Sequence, residues 1–390
     1  MMEAHLHMWL SLLVRWTHLI VGIAWIGASF YFNWLENHLQ REKHPEDTAG
    51  DLWAIHGGGF YYLKKFKTTP RQLSSELHWF KWEAYATWAS GMLLLIIVFY
   101  WNAQAYMLKP DNTGLTATAA IGVGLLSLII SWIFYDALCR SRISRREWLV
   151  AVLIFAWFAV LAWTLSIALS GRAAYIHVGA AIGTIMVANV FRVIIPAQKD
   201  MVNAVSESCP AEQDKGRSAL QRSRHNNYFT LPVLFIMISG HYPVTYGHAY
   251  NWLLLIVFSL AAVAIRHYFN IRHKTGFTAW PLIPAVLLLT ALVLATAPEP
   301  RKHNAPFTFS SEEIQAIIEQ RCSTCHAAVP TFEGFINAPL GIELDSYEKL
   351  REQAEKVYQT VVVTRVMPLA NLTQMTDEER DRIAKWFEAL

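Results

Sequence analysis

Eight stretches of this chain, at positions 9–32, 84–107, 115–135, 149–170, 173–191, 228–242, 249–265 and 277–297, are apolar and nearly free of charge. About 20 such residues are what a helix needs to cross the hydrocarbon of a bilayer, where the backbone must satisfy its own hydrogen bonds. The sixth stretch is the shortest and carries Pro232, so its borders are the least defined. Composition agrees: 54% of the 390 residues are hydrophobic and 16% are charged, against about 25% charged in a soluble domain. Such a chain lacks the polar surface to cover itself in water, which excludes a fully soluble globule and equally a disordered or fibrous chain. A net charge of +3 is too small to argue for nucleic acid. The first apolar stretch is too long, and lacks the basic residues ahead of it, for a removable signal peptide.

The charges are distributed in two ways. The loops after spans one, three, five and seven hold 7, 4, 6 and 3 Lys and Arg, whereas the N-terminus and the loops after spans two, four and six hold 0, 1, 1 and 0. Basic loops stay in the cytoplasm, so both termini are expected on the outer side. Residues 301–390 hold 10 Lys and Arg against 14 Asp and Glu, while the preceding 300 hold 23 against 16. Two different objects share the chain, and the expected fold is all-α: an eight-helix transmembrane bundle over 1–297, a Pro-rich linker over 298–309 with Pro298, Pro300 and Pro306, and a small helical domain over 310–390.

Polar residues inside apolar spans are costly and mark candidate sites. Arg15 and His18 share a face of the first span with Gly22. His177 opens the fifth span near Gly179 and Gly183, whose small size lets a neighbouring helix approach. Arg172 and Arg192 stand at span ends, with Asn189 one turn before Arg192, and His241 and His248 flank the loop after span six. His18 lies about 15 Å into its span, as a haem or substrate ligand or as an interhelical hydrogen-bond donor; His248 reads as a solvated loop residue. His56-Gly57-Gly58-Gly59 is similar to the oxyanion-hole glycines of lipases, but no G-x-S-x-G accompanies it, and a turn is the simpler reading.

The last domain carries Cys322-Ser323-Thr324-Cys325-His326. C-x-x-C-H places two thiols to add to the vinyl groups of a haem and a histidine as the proximal iron ligand. A zinc site would need a second ligand pair, and Cys139 and Cys209 fall in loops on the opposite side. Ser311 offers an N-cap to a helix leading into the motif. For the sixth ligand, Met367 in Arg365-Val366-Met367-Pro368 is preferred over Met375, which directly precedes a T-x-x-E capping box at Thr376 and so reads as a hydrophobic staple.

The order of motifs resembles the bacterial membrane-bound urate oxidase (urate hydroxylase) with a fused cytochrome c domain. They are Arg15-Trp16-Thr17-His18, Trp25-Ile26-Gly27, His56-Gly57-Gly58-Gly59-Phe60, His225-Asn226-Asn227-Tyr228-Phe229-Thr230-Leu231-Pro232 and the closing C-x-x-C-H, and the resemblance covers nearly the whole chain. It implies conversion of urate to 5-hydroxyisourate in purine catabolism. Electrons would leave through a covalent haem c to a terminal cytochrome oxidase or soluble cytochrome, without hydrogen peroxide. It also implies a multi-pass protein of the bacterial inner membrane with a periplasmic haem domain.

Urate is a planar anion with amide edges, so its site needs a cation, paired donors, an aromatic wall and a base. An outer group (Arg15, His18, Arg172, His177, His241) would lie near the haem c. An inner group (His56, His78, Arg192, His225) would receive urate from the cytosol but leaves about 30 Å to cross. An inner site therefore calls for an intramembrane carrier, with a haem b held by His18 and His177 as the first candidate; Arg15, His18, His177 and Arg192 are the candidate catalytic residues. Two other classes compete. An electron-transfer subunit relaying from quinol would show two pairs of His on adjacent spans, where only isolated His occur. A transporter would show internal repeats.

Overall fold

The apolar stretches become helices, and polar residues end them. A computed structural model describes residues 2–390 apart from 43–46, 68–69, 71–72, 110–113, 208, 210–211, 274–276, 298–309 and 333–334. The linker expected at 298–309 lies outside the described residues. The chain is mostly helical. Helix α1 (Met2–His38) is followed by a hairpin, β1 (Thr48–His56) and β2 (Gly59–Phe66). Then come α2 (Trp82–Leu95), which runs through a π turn to Tyr100, and the short α3 (Ala103–Tyr106). α4 (Ala117–Arg140), α5 (Glu147–Ala168) and α6 (Gly171–Asn189) follow, and a π turn at Val190–Ile194 joins α6 to α7 (Ile195–Ser206). α8 (Gln213–Ser239), the short α9 (Pro243–Tyr246), α10 (Asn251–Ile271) and α11 (Leu282–Ala295) complete this part.

Among the described residues, six helical segments are long and apolar enough to cross a membrane: His5–His38, Trp82–Tyr100, Ala117–Arg140, Glu147–Ala168, Gly171–Ser206 and Asn251–Ile271. The other two expected spans are helical but differ in kind. The apolar half of α8 continues a polar first half, with Pro232 inside the helix. α11 has 14 residues, about 21 Å of rise. Large apolar side chains point outward along these helices, among them Leu19 and Ile23 of α1, Ile129 and Ile133 of α4, and Leu287 and Leu294 of α11. So much exposed apolar surface is untenable in water and is what a multi-pass membrane protein requires.

The hairpin departs from the all-α expectation. Strand alternation places Trp53 opposite Tyr62 and Ile55 opposite Phe60, a period-two pattern of β-formers that a helix-scale reading of this loop passes over. His56 pairs with Gly59, and Gly57 and Gly58 between them have φ of 58° and 79°. Two left-handed residues are what the two-residue turn of a hairpin demands. The glycine run is a turn.

α6 is the centre of the bundle, packed on α2, α4, α5, α8 and α10. Small residues set its approaches. A Cβ at Gly124 of α4 would come within 2.3 Å of His177 Nε2, and one at Gly179 would come within 2.6 Å of Ile236 of α8. Gly179 therefore does what its spacing predicts, while a Cβ at Gly183 would meet nothing within 4 Å. The Ser170 hydroxyl accepts from Ala173 N, capping α6, and donates to the Tyr106 carbonyl at 2.6 Å, tying α6 to α3.

The C-terminal unit has its own core, with Ile314, Ile318, Cys322, Leu350, Ile383 and Trp386 buried together. It comprises α12 (Ser311–Arg321), α13 (Ser323–His326), α14 (Tyr347–Glu352), α15 (Ala354–Val357), which leads into a π turn to Val363, and α16 (Asp377–Glu388). The N-cap of α12 is Ser310, one residue before the expected Ser311: its hydroxyl accepts from Glu313 N at 3.2 Å. Thr376 and Glu379 form the expected reciprocal capping box of α16. This unit packs on one end of the bundle. Its turn Leu369–Asn371 lies against α3, and Thr364 and Val366 press on Gly247.

Candidate functional site

The C-x-x-C-H motif sits where α12 ends. Cys322 is buried and terminates that helix, the next turn carries Cys325, and His326 closes it. The His326 ring is fixed by Nδ1, which donates to the Ile342 carbonyl at 2.8 Å. Such a bond directs the other ring nitrogen, Nε2, outward as a lone-pair donor, the usual preparation of a metal-ligating imidazole. Burial pushes the Cys322 thiol up to about 12, so it is a neutral thiol at neutral pH. Met375 is buried in the same core as Cys322, as a staple residue would be, and Met367 packs half-buried at its edge. Buried Arg380 holds the Met367 segment by donating to the Met367 carbonyl at 2.7 Å. Two free thiols, an oriented imidazole and a thioether beside them fit a covalent haem c.

The second centre is a cavity of about 690 Å³ enclosed by α1, α2, α6 and α8. Its end nearest the C-terminal unit is polar, with Arg15, Arg172, His241 and Tyr246, and its other end is walled by Trp25, Ile26, Phe30, Met186 and Val233. His18 lies between. Its Nδ1 is 3.1 Å from the Thr87 carbonyl and 3.0 Å from Ser90 Oγ. Gly91 makes room for the ring, since a Cβ there would stand 3.1 Å from His18 Cε1. Among the described residues neither Arg15 nor Arg172 meets a carboxylate. Arg15 reaches Ser11 Oγ, while Arg172 lies over the rings of Phe99 and Tyr106, 5.7 and 5.6 Å from their centres, with its Nε buried and unpaired. Tyr106 thus borders this cavity, on the short helix α3 against which the Leu369–Asn371 turn of the C-terminal unit lies.

Some candidate residues stay apart. His177 is fully buried but turns from the cavity: its Nδ1 bonds the Ala173 carbonyl at 2.7 Å and its Nε2 the Tyr100 hydroxyl at 3.0 Å. With both nitrogens engaged and its ring against Gly124 of α4, it is not brought together with His18, which faces α2. Arg192 is exposed on the π turn after α6. His56 is exposed at the hairpin tip, and His78 is exposed, 3.9 Å from Glu83. His241 is exposed and His248 half-buried at the end that meets the C-terminal unit.

Two polar networks at the far end of the bundle include arginines that the sequence reading left in loops. In the first, Arg222 is 1% exposed and donates to Asp136 at 2.8 Å and to Asn189 at 3.2 Å. Asn189 donates in turn to the Tyr135 hydroxyl and to Asn226, and Tyr135 is 2.8 Å from His225 Nδ1. In the second, Arg266 is 5% exposed, donates from Nε to Asn227 Oδ1 at 2.9 Å and lies 4.0 Å from the centre of the Phe30 ring. Asn270 also donates to Asn227 Oδ1, and Asn33 donates to Asn270. Arg266 Nη2 and Asn227 Nδ2 are buried donors with no acceptor, and among the described residues Arg266 has no carboxylate. The signal that could have found them was a cation within two turns of a span border; both α8 and α10 continue past the expected ends.

Residues 4–297 match the urate oxidase N-terminal family. No curated protein and no solved structure gives a match. The match takes in the whole helical bundle, the hairpin and both polar networks, about three quarters of the chain, and stops before the C-x-x-C-H unit. The chain belongs to the urate oxidase N-terminal family.

Proposed function

We propose that this chain is an integral membrane urate hydroxylase that converts urate to 5-hydroxyisourate and passes the electrons outward through its C-terminal unit. The family match over the bundle carries this reading. α8 and α11 would complete eight spans, with both termini periplasmic as the basic loops suggest. In the reaction urate takes up one water and gives up two electrons and two protons.

Arg266 and Asn227 are the donors assigned to the substrate. Each has an unpaired N–H in a buried site beside an aromatic ring, and a planar oxyanion with carbonyl edges accepts both. Asn270 and Asn33 hold the Asn227 side chain in place. On this reading the substrate's donors are not among Arg15, His18, His177 and Arg192, of which Arg15 and His18 line the cavity.

Cys322, Cys325, His326 and Met367 would hold a haem c. Bound there, the haem would supply a one-electron acceptor whose potential a thioether ligand raises, suited to a respiratory cytochrome or oxidase. Anaerobic addition of urate to the purified protein should reduce the haem absorbance and yield 5-hydroxyisourate, with no hydrogen peroxide when oxygen is readmitted. A haem that stays oxidised with urate but is reduced by quinol would replace this reading with a relay subunit.

The two methionines separate by the property each changes. Met375→Ala empties a buried core position and should cost about 2–5 kcal/mol of stability with little effect on potential. Met367→Ala should do the reverse, lowering the haem potential in a redox titration while the thermal midpoint changes little. The opposite pattern would move the ligand to Met375.

A further inference from the structure

We propose that the cavity between α1, α2, α6 and α8 is a b-type haem site, with His18 Nε2 as the axial ligand and Arg15 and Arg172 holding the propionates. This does not depend on the identity of the substrate.

Size is the first argument. About 690 Å³ lies in the range that encloses a drug-sized ligand, far more than a bicyclic purine fills. Polarity is the second. The polar groups cluster at one end, while the far walls are Ile26, Phe30, Met186 and Val233, which offer a hydrogen-bonding ring nothing. Urate is polar on every edge and would leave its donors and acceptors unmatched there. A porphyrin has the converse pattern: a broad apolar plate with two carboxylates on one edge.

The charges are the third argument. Arg15 and Arg172 line the same end of the cavity, and among the described residues neither is paired with a carboxylate. Two guanidiniums without counter-ions are costly if these helices span a membrane, and a pair of carboxylates would resolve both. Arg172 Nε is buried and unpaired, available for one of them.

The imidazole is the fourth. His18 Nδ1 is held by the Thr87 carbonyl and the Ser90 hydroxyl, which fixes the tautomer and leaves Nε2 as the lone pair, as in His326. The pairing of His18 with His177 expected from sequence is not formed, because both His177 nitrogens are used within the protein. The site therefore has His18 alone as its histidine ligand from the membrane interior. Its polar end lies near Tyr106 of α3, over which Arg172 sits, and α3 is the helix on which the Leu369–Asn371 turn of the C-terminal unit rests, so the two haems would face each other across that contact.

The test uses the full-length protein purified in detergent, with haem extracted by acidified acetone. Covalent haem c stays with the protein and b-type haem enters the solvent; a pyridine haemochrome spectrum quantifies each. The expected result is extractable b-type haem in equal amount to covalent haem c. His18→Ala should reduce the extractable haem by about tenfold or more at unchanged haem c content, which reports that the chain has folded. His18→Gly supplied with imidazole should recover the b-type spectrum. His177→Gln should keep it, and Arg15→Gln with Arg172→Gln should lower occupancy. Wild-type protein carrying covalent haem alone, a quinone extracted in place of haem, or full b-type content in His18→Ala would each overturn the proposal. Failure of urate to reduce a protein that contains both haems would overturn the proposed substrate and leave this site standing.

Discussion

Arg222→Met should destabilise the bundle, whereas Arg266→Met should leave its stability nearly unchanged and cut its activity. Both arginines are buried, at 1% and 5% exposed, but their partners differ. Arg222 joins Asp136 of α4 and Asn189 of α6 to α8. Removing it strips a half-buried carboxylate of its inner cation and leaves Asn189 Oδ1 without its donor. Arg140 still reaches the other oxygen of Asp136, so the expected cost is about 3 kcal/mol, the low end for breaking a buried pair. Arg266 balances no carboxylate among the described residues. Its removal forfeits a stack on Phe30 and one hydrogen bond but also removes an unpaired buried charge, and these nearly cancel. Thermal unfolding in detergent should move by less than about 1 kcal/mol for Arg266→Met. Its kcat/KM for urate should fall about a hundredfold, equivalent to roughly 3 kcal/mol for a lost charge-assisted contact. If Arg266→Met destabilises the bundle as much as Arg222→Met, Arg266 is a structural residue and the substrate donors lie elsewhere.

How far the sequence discloses such sites depends on what encodes them. Apolar length is a local property, so all eight apolar stretches are helical, and the C-x-x-C-H unit announces itself through five adjacent residues. The capping box at Thr376 and the close approach at Gly179 are local as well. The hairpin is hidden because its Trp, Tyr and Phe alternate within a loop that also contains many charges, and composition reads that as amphipathic coil. Arg222 and Arg266 are hidden for a different reason. Hydropathy ends a span at the first charge, yet helices α8 and α10 carry those charges on past the border and fold them inward against asparagines from other helices. Asn227 becomes a site residue only because Arg266 and Asn270, 39 and 43 positions later, converge on it. His18 and His177 show the complementary failure. Both are buried histidines on apolar spans, and only the third dimension shows that one faces a cavity while the other is consumed by Tyr100 and Ala173.

Gly247→Leu should separate urate oxidation from haem c reduction without harming either half of the molecule. Gly247 follows α9, at the end of the bundle where the C-terminal unit sits. A Cβ there would stand 2.7 Å from both Thr364 Cβ and Val366 Cγ1, closer than carbon atoms can approach. Thr364 cannot give way alone, because its hydroxyl is bound to the Gln359 carbonyl at 2.7 Å and its backbone ends the π turn. A leucine must therefore push the whole unit off its seat. The second contact, Leu369–Asn371 on α3, would open with it and draw the C-terminal unit away from the bundle. Misplacing reacting groups by an ångström costs about a hundredfold in rate, and urate-driven reduction of haem c, followed by stopped-flow absorbance, should slow by a comparable factor. Haem c content and its reduction by dithionite should match the wild type, because the core around Cys322 and Trp386 is untouched. Gly247→Ala, with a smaller wedge, should fall between. Unchanged urate-driven reduction in Gly247→Leu would mean that electrons reach the C-terminal unit by a route other than the contact seen here.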